Sequence, residues 1–298
     1  MKLRILHETT CRYNPAVETA QHQAHLQPRR TPCQDIIHFG LQVEPSPDHM
    51  PTRLDAFGNH QTYWALTQSH PVLRVVSRSE VVTCPLAGHL STQPWEAVRE
   101  HFRYRSGQAG DVQARFVFGS HHAPLHEQFA TWARPCFPPG RPLQDAAVAL
   151  MRQIHEEFTY ARQSTDIHTP ALQALGDRRG VCQDFAHILI ACLRSLGLAA
   201  RYVSGYLLTH PPEGQDKLVG SDASHAWASV YIPELADSAS GGWLDLDPTN
   251  NRHGWASPGE DYVQLAVGRD FADVSPLRGV LQGAGDHTLE VAVTVEAV

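Results

Sequence analysis

Apolar and polar residues alternate along much of the first 85 residues of the chain. The alternation is clearest in LRILHETTCRY, DIIHFGLQVEP, HQTYWALTQ and VLRVVSRSEVVT, and turn-forming segments such as PSPDHMP and DAFGNH separate these stretches. A period of two is typical of β-strands, because successive side chains point to opposite faces of a sheet. Residues 1–85 are therefore predicted to form a β-rich, sandwich-like domain.

The pattern changes to a helical period after residue 85. Helices are predicted in PLHEQFATWARP and in PLQDAAVALMRQIHEEFTYA, where apolar residues recur every three or four positions. A third apolar stretch, CQDFAHILIACLRSLG, has so little polar surface that its helix is expected to be buried nearly all round.

A period of two returns after this helix, in ARYVSGYLL, SHAWASVYIP and GGWLDLDPTN. Residues 86–298 are therefore predicted to form an α+β domain, in which a buried helix packs on an antiparallel sheet. The final segment HTLEVAVTVEAV predicts one more strand. The alternation does not tell to which sheet this strand belongs.

The composition indicates a soluble protein that is large enough for two domains. The 298 residues are 42% hydrophobic and 18% charged, and the formal net charge is −7. No cluster of Lys and Arg suggests nucleic acid or a membrane surface as a partner. Because no signal-peptide core or membrane-length apolar run is found, we expect a cytoplasmic location. The oligomeric state stays open.

The cysteines and histidines do not form a metal-binding pattern. The six cysteines contain no C-x-x-C pair and are interpreted as free thiols. The 19 histidines are scattered and contain no H-x-x-x-H helix. We therefore expect neither a metal nor any other cofactor.

Cys182 is predicted to lie at the N-terminus of the buried helix, where it has two interpretations. The positive end of the helix dipole and the unpaired backbone N–H groups favour a thiolate and can bind an oxyanion, although the nearby Asp184 opposes this effect. Alternatively, Cys182 is a small buried apolar residue. That second interpretation is the one we adopt for Cys192, in the interior of the same helix.

A nucleophilic cysteine needs a base, and two histidines are candidates. His187 is five residues from Cys182 and therefore lies roughly 140° around the helix, so it points away. His225 begins the segment SHAWASVYIP, in which Ala226 and the following alternate residues form an apolar face. His225 shares the other, amphipathic face with Trp227, and it is the better candidate.

Two carboxylates could orient this histidine. Asp245 and Asp247 share one face of the strand in GGWLDLDPTN, and Pro248 ends the strand just after Asp247. Asp245 as a surface residue and Asp247 as a turn former are both reasonable alternatives.

The segments GVCQDFAHILIACLRSLGLAARYVSGYL, SHAWASVYIP and GGWLDLDPTN together resemble the core of the bacterial transglutaminase-like proteins, in which cysteine, histidine and aspartate occur in this order. The resemblance extends over residues 145–275, and residues 1–85 resemble the β-rich N-terminal region of one bacterial subgroup. It implies a papain-like fold, with Cys182 as nucleophile, His225 as general acid and base, and Asp247 as the orienting residue. Asp245 then lies outside the triad.

The resemblance implies thiol acyl transfer on an amide or peptide bond of a protein or peptide substrate, through a thioester. An amine acceptor would make the protein a transglutaminase, and water would make it a peptidase or amidase; a non-catalytic binding scaffold is a third reading. The backbone N–H of Cys182 is expected to bind the oxyanion. Tyr160, Gln183 and Trp227 are further candidates for the oxyanion hole or the lining of the site. The calcium sites of animal transglutaminases and the zinc cysteines of peptide N-glycanases have no counterpart in this sequence.

Overall fold

The computed structural model describes residues 1–106, 110–161, 169–209, 224–283 and 285–298. Its strands are β1 (Lys2–Val17), β2 (Thr19–Ala24), β3 (Gln34–Glu44), β4 (Thr52–Leu54), β5 (His60–Leu66), β6 (His70–Thr83), β7 (Thr159–Tyr160), β8 (Arg179–Gly180), β9 (Ala200–Leu207), β10 (Ser224–Tyr231), β11 (Trp243–Asp247), β12 (Arg252–Trp255), β13 (Tyr262–Gly268), β14 (Leu277–Gln282) and β15 (Asp286–Ala297). Its α-helices are α1 (Trp95–His101), α2 (Glu127–Ala133), α3 (Leu143–Glu157), α4 (Ala171–Asp177), α5 (Cys182–Ser195) and α6 (Phe271–Val274).

The N-terminal part of the chain forms two four-stranded antiparallel sheets, with strand orders β15-β1-β6-β3 and β14-β2-β5-β4. Alternate residues of their strands are buried and pack together between the sheets, as alternation in the sequence predicts. This core includes Tyr13, Val17, Trp64, Leu66 and Leu73. The predicted β-rich N-terminal domain is confirmed.

The last strands of the chain return to these two sheets. β15 pairs with β1 in the register Thr9↔Val291, and β14 pairs with β2 in the register His22↔Gly279. The C-terminal alternating segment therefore belongs to the N-terminal sandwich. A domain boundary at residue 85 stays a prediction, and the sandwich takes strands from both sides of it.

The second part of the chain is built on a five-stranded antiparallel sheet with the order β12-β11-β10-β9-β13. Helix α5 packs on one face of this sheet, against alternate residues of β10 such as Ala226, Ala228 and Val230. Helices α2, α3 and α4 pack against α5 as well, so the helix is buried nearly all round. The predicted papain-like arrangement, a cysteine helix on an antiparallel sheet, is confirmed.

The other face of this sheet is also buried, although the sequence suggested an amphipathic face for β10. It is covered by the N-terminal part of the chain, and Phe57 packs against Trp227 and its neighbours. The side chain of Asn59 donates to the Val267 carbonyl and accepts from the Val267 N–H, both at 2.8 Å. The side chain of Gln34 pairs in the same way with the backbone of Gln264, at 2.9 and 2.8 Å. These contacts fix the sandwich to the back of the sheet.

Within the parts of the chain that the structure describes, none of the helices is both apolar and long enough to cross a membrane.

Candidate active site

The first turn of α5 holds Cys182 in a fixed position. Strand β8 leads into the helix, and the Val181 N–H donates to Oδ2 of Asp184 at 2.8 Å, which closes the helix N-terminus. A Cβ atom at Gly180 would lie 2.7 Å from this carboxylate oxygen, so the turn needs glycine at that position. Cys182 is half-buried, whereas Cys192, further along the helix, is fully buried.

His225 lies at the start of β10, where its imidazole contacts both other residues of the predicted triad. Its Nε2 lies 2.7 Å from Oδ2 of Asp247, and the ring is close enough to Cys182 for the sulfur to influence its protonation. Burial alone would lower the pKa of His225, but the hydrogen bonds and the negative charges of Asp247 and Cys182 raise it to about 10. The imidazolium form is therefore favoured at neutral pH.

Asp247 ends β11 and is completely buried. Its Oδ2 accepts hydrogen bonds from His225, from the Tyr262 hydroxyl at 2.7 Å and from Nδ2 of Asn250 at 2.8 Å. Its Oδ1 accepts the backbone N–H groups of Thr249 at 2.9 Å and Asn250 at 3.3 Å. Burial alone would raise the pKa of Asp247, but its hydrogen bonds and the charge of His225 keep it below its usual value. The side chain thus stays a carboxylate.

Asp245 lies two residues earlier on the same face of β11 but has different partners. Its carboxylate accepts Nε1–H of Trp227 at 2.9 Å and the hydroxyl of Ser229. Burial raises the pKa of Asp245, and the positive charge of Arg201 opposes this rise. The Trp227 ring stacks on His225 with a centroid distance of 6.0 Å. Asp245 therefore holds the ring that supports the imidazole, while Asp247 holds the imidazole itself.

The three remaining predicted site residues differ in their surroundings. Tyr160 lies on β7 opposite Gly180, which precedes Cys182 by two residues, and Tyr160 is 46% exposed. Gln183 follows Cys182 and is half-buried. Trp227 is completely buried, and its indole N–H donates to Asp245. Trp227 therefore contacts the site through the face of its ring. Roles in an oxyanion hole stay predictions for Tyr160 and Gln183.

His187 belongs to a separate cluster. Its Nε2 accepts the backbone N–H of Phe271 at 3.2 Å, and its ring stacks on His122 with the centroids 5.2 Å apart. Burial lowers the pKa of His187 to about 3, so it is neutral at physiological pH.

Sequence reasoning missed Tyr262 and Asn250, the two side chains that complete the shell of Asp247. Asn250 had a local signal, since it lies in the turn that follows Pro248. No local sequence signal pointed to Tyr262, because it reaches the site from β13, and β10 and β9 lie between β13 and β11 in the sheet. Gly205 also contributes, since a Cβ atom there would lie 2.5 Å from the Trp227 ring.

Comparison with protein-family models gives two matches. Residues 130–248 match the model of the transglutaminase-like superfamily, and residues 3–82 match that of the bacterial transglutaminase-like N-terminal region. Cys182, His225 and Asp247 all lie within the first match.

The similar proteins include one that spans the whole chain. An uncharacterised protein of Mycobacterium tuberculosis is 37% identical over 302 residues, which cover 100% of this chain and 92% of the relative. A protein-glutamine gamma-glutamyltransferase of Pseudomonas aeruginosa is 34% identical over 111 residues, which cover 35% of this chain and 15% of the relative. A solved structure from Cytophaga hutchinsonii, described as a candidate cysteine protease, has a TM-score of 0.73 at 22% identity and covers 99% of this chain and 90% of its own. This last similarity shows the shared fold.

Proposed function

Because the chain belongs to the transglutaminase-like superfamily, in the bacterial group that carries the N-terminal region, we propose that it is a thiol acyl-transfer enzyme that acts on amide bonds of a protein or peptide. The observation that carries this proposal is the position of His225, which forms a hydrogen bond with Asp247 and interacts electrostatically with Cys182. A thiolate and an imidazolium held together in this way form an activated nucleophile beside a proton donor.

In the first step, the Cys182 sulfur attacks the amide carbon and forms the C–S bond, while the carbonyl π electrons move to the oxygen. The backbone N–H of Cys182, at the N-terminus of α5, is the proposed donor to this oxyanion. The intermediate then collapses and the C–N bond breaks. His225 gives its proton to the leaving nitrogen, and a thioester of Cys182 remains.

In the second step, an acceptor attacks the thioester and His225 takes up the proton of the acceptor. Cys182 leaves as a thiolate, so the starting pair is restored. Asp247 orients the imidazole and stabilises its charged form in both steps. Its dense set of hydrogen bonds supports this role, because a carboxylate with five donors cannot easily rotate away from His225.

We propose a primary amine as the acceptor and glutamine as the acyl donor. The similarity to the gamma-glutamyltransferase supports this choice, although it covers 35% of the chain. Hydrolysis by water, which would make the protein a peptidase or amidase, is the second candidate. The same three residues serve both reactions, since only the acceptor differs.

Intact-mass spectrometry tests the proposal. The protein is incubated with glutamine-containing peptides, with and without a primary amine, and Cys182→Ala is compared with Cys84→Ala, which removes an exposed thiol elsewhere. We expect amine incorporation by the wild type and by Cys84→Ala, and none by Cys182→Ala. Cleaved or deamidated peptides would identify a hydrolase instead. Peptides that stay unchanged, together with a Cys182 that alkylates like an ordinary thiol, would favour the non-catalytic scaffold.

A further inference from the structure

A groove opens between the two sheets of the N-terminal sandwich and ends beside the candidate active site. Its volume is about 400 Å³, which is within the range of ligand-binding clefts. Gln183 and Ser224 are among the residues that line it. Because these residues directly follow Cys182 and directly precede His225 in the chain, the groove begins next to both reacting groups. We call this cleft the sandwich groove.

The walls of the sandwich groove are the facing inner surfaces of its two sheets. One wall is formed by odd-numbered residues of β1 and β15, which lie opposite each other in the pairs Cys11↔Leu289 and Thr9↔Val291. On the facing wall, Leu277, Gly279 and Leu281 alternate along β14, and Arg278 lines the groove beside them. Side chains on each wall therefore repeat about every 7 Å, the spacing of alternate side chains in an extended peptide.

Apolar side chains are exposed at this edge. Leu289 is 60% exposed and Val291 is 50% exposed, although both lie on the face of β15 that points toward the sandwich core. Apolar side chains that line a cleft and remain accessible are typical of a binding surface. Among the described residues that line the groove, Arg278 carries a positive charge and no carboxylate is present. The groove thus suits an apolar segment that is neutral or acidic.

The backbone at the mouth of the groove can also bind a peptide. Both β14 and β15 are outermost in their sheets, and no other described strand pairs with their outer edges. An edge strand offers backbone N–H and C=O groups to any extended chain that lies beside it.

We propose that the sandwich groove binds an extended, apolar segment of the protein substrate and thereby positions the neighbouring reactive residue at Cys182. The N-terminal domain would then be part of the substrate site and would set the sequence preference around the reactive amide. That the bound segment belongs to a substrate rests on the proposed function, but binding to the groove can be measured without turnover.

The test uses the full chain with Cys182→Ala and a fluorescein-labelled peptide that has one glutamine within alternating leucine and serine residues. Fluorescence anisotropy gives its Kd. We expect Leu289→Arg and Val291→Arg to weaken binding about tenfold each. Leu54→Arg and Ile37→Arg are the matched controls, since Leu54 is 65% and Ile37 59% exposed and neither residue lines the groove. We expect both controls to stay within about twofold of the parent.

Three results would overturn the proposal: no binding of the leucine–serine peptide, equal affinities for the groove variants and the controls, or equal affinity for a peptide with serine in place of every leucine. Dimerisation of the protein that Leu289→Arg abolishes would assign the groove to a second copy of the chain instead. Turnover separates the two proposals. If the peptide binds the groove but the wild type shows no turnover, the acyl-transfer proposal is wrong and the groove proposal stands. If the wild type turns over and Leu289→Arg leaves the rate unchanged, the groove proposal is wrong and the acyl-transfer proposal stands.

Discussion

At the scale of single residues, the two carboxylates of β11 share a face and a burial level but have different partners. Asp247 contacts the imidazole of His225 directly, while Asp245 reaches it only through the Trp227 ring. A group that holds the catalytic base sets its tautomer and direction, whereas a group behind a stacked ring changes only how firmly the base is held. The two residues should therefore differ greatly in their effect on turnover.

We predict that Asp247→Asn lowers kcat/KM about a thousandfold or more, because an amide cannot stabilise the imidazolium and can favour the wrong tautomer. Asp245→Asn should lower kcat/KM by about tenfold, since Trp227 would keep a carbonyl acceptor at nearly the same place. Steady-state kinetics with one glutamine peptide measure both. A larger loss for Asp245→Asn would show that the carboxylates have been assigned the wrong way round.

The pKa of about 10 for His225 leads to a second prediction. At neutral pH the imidazolium lies beside the Cys182 sulfur and favours its attack, so iodoacetamide should alkylate Cys182 faster than the exposed Cys84 at pH 7. His225→Ala should slow alkylation at pH 7 by removing the positive charge. Peptide mapping follows Cys182, and the exposed Cys84 serves as internal standard. Equal alkylation rates of Cys182 in the wild type and in His225→Ala at pH 7 would contradict this effect of the imidazolium.

At the scale of elements, residue periodicity is enough to predict α5, β10 and β11, and with them the chain order of the candidate site. It cannot predict which strands pair. The alternation in β15 shows which of its residues share a face, but its partner β1 lies at the other end of the chain, and only the folded sandwich brings them together. The same limit hides Tyr262, because its contact with Asp247 depends on the position of β13 in the sheet.

The helix N-terminus gives a prediction at this scale. In Gly180→Ala the new methyl group would approach the Asp184 carboxylate to 2.7 Å and push it away from the Val181 N–H. We expect a loss of about 1–3 kcal/mol in the free energy of unfolding, together with slower alkylation of Cys182. Gly176→Ala is the matched control, because α4 leaves open space around that position and alanine favours a helix. Equal stability of the two variants would mean that α5 does not depend on this contact.

At the scale of the whole molecule, the N-terminal sandwich and the catalytic sheet share buried polar contacts. Asn59 and Gln34 form hydrogen bonds with the backbone of β13. Nδ1 of His7 on β1 lies 2.7 Å from the hydroxyl oxygen of Tyr206 on β9. Polar groups buried between two parts of a chain need each other as partners, because water cannot replace them. Folding of the two parts is therefore expected to be one cooperative process, and proton binding at their interface affects the stability of the entire chain.

His7 makes this last point testable. Burial lowers the pKa of His7 to about 4, so the folded chain holds it neutral while the unfolded chain takes up a proton below about pH 6.5. The unfolded state thus binds more protons between pH 6.5 and about 4, and stability must fall as the pH falls through this window. At pH 5 this single group is expected to cost about 2 kcal/mol. His22 and His187, whose pKa values burial also lowers, act in the same direction.

Urea unfolding at pH 7 and pH 5 should therefore show that His7→Gln loses about 2 kcal/mol less than the wild type on acidification, because glutamine has no proton to gain. The exposed His49→Gln should lose as much as the wild type. If His7→Gln also loses as much, the interface between the sandwich and the sheet does not exclude the proton from His7.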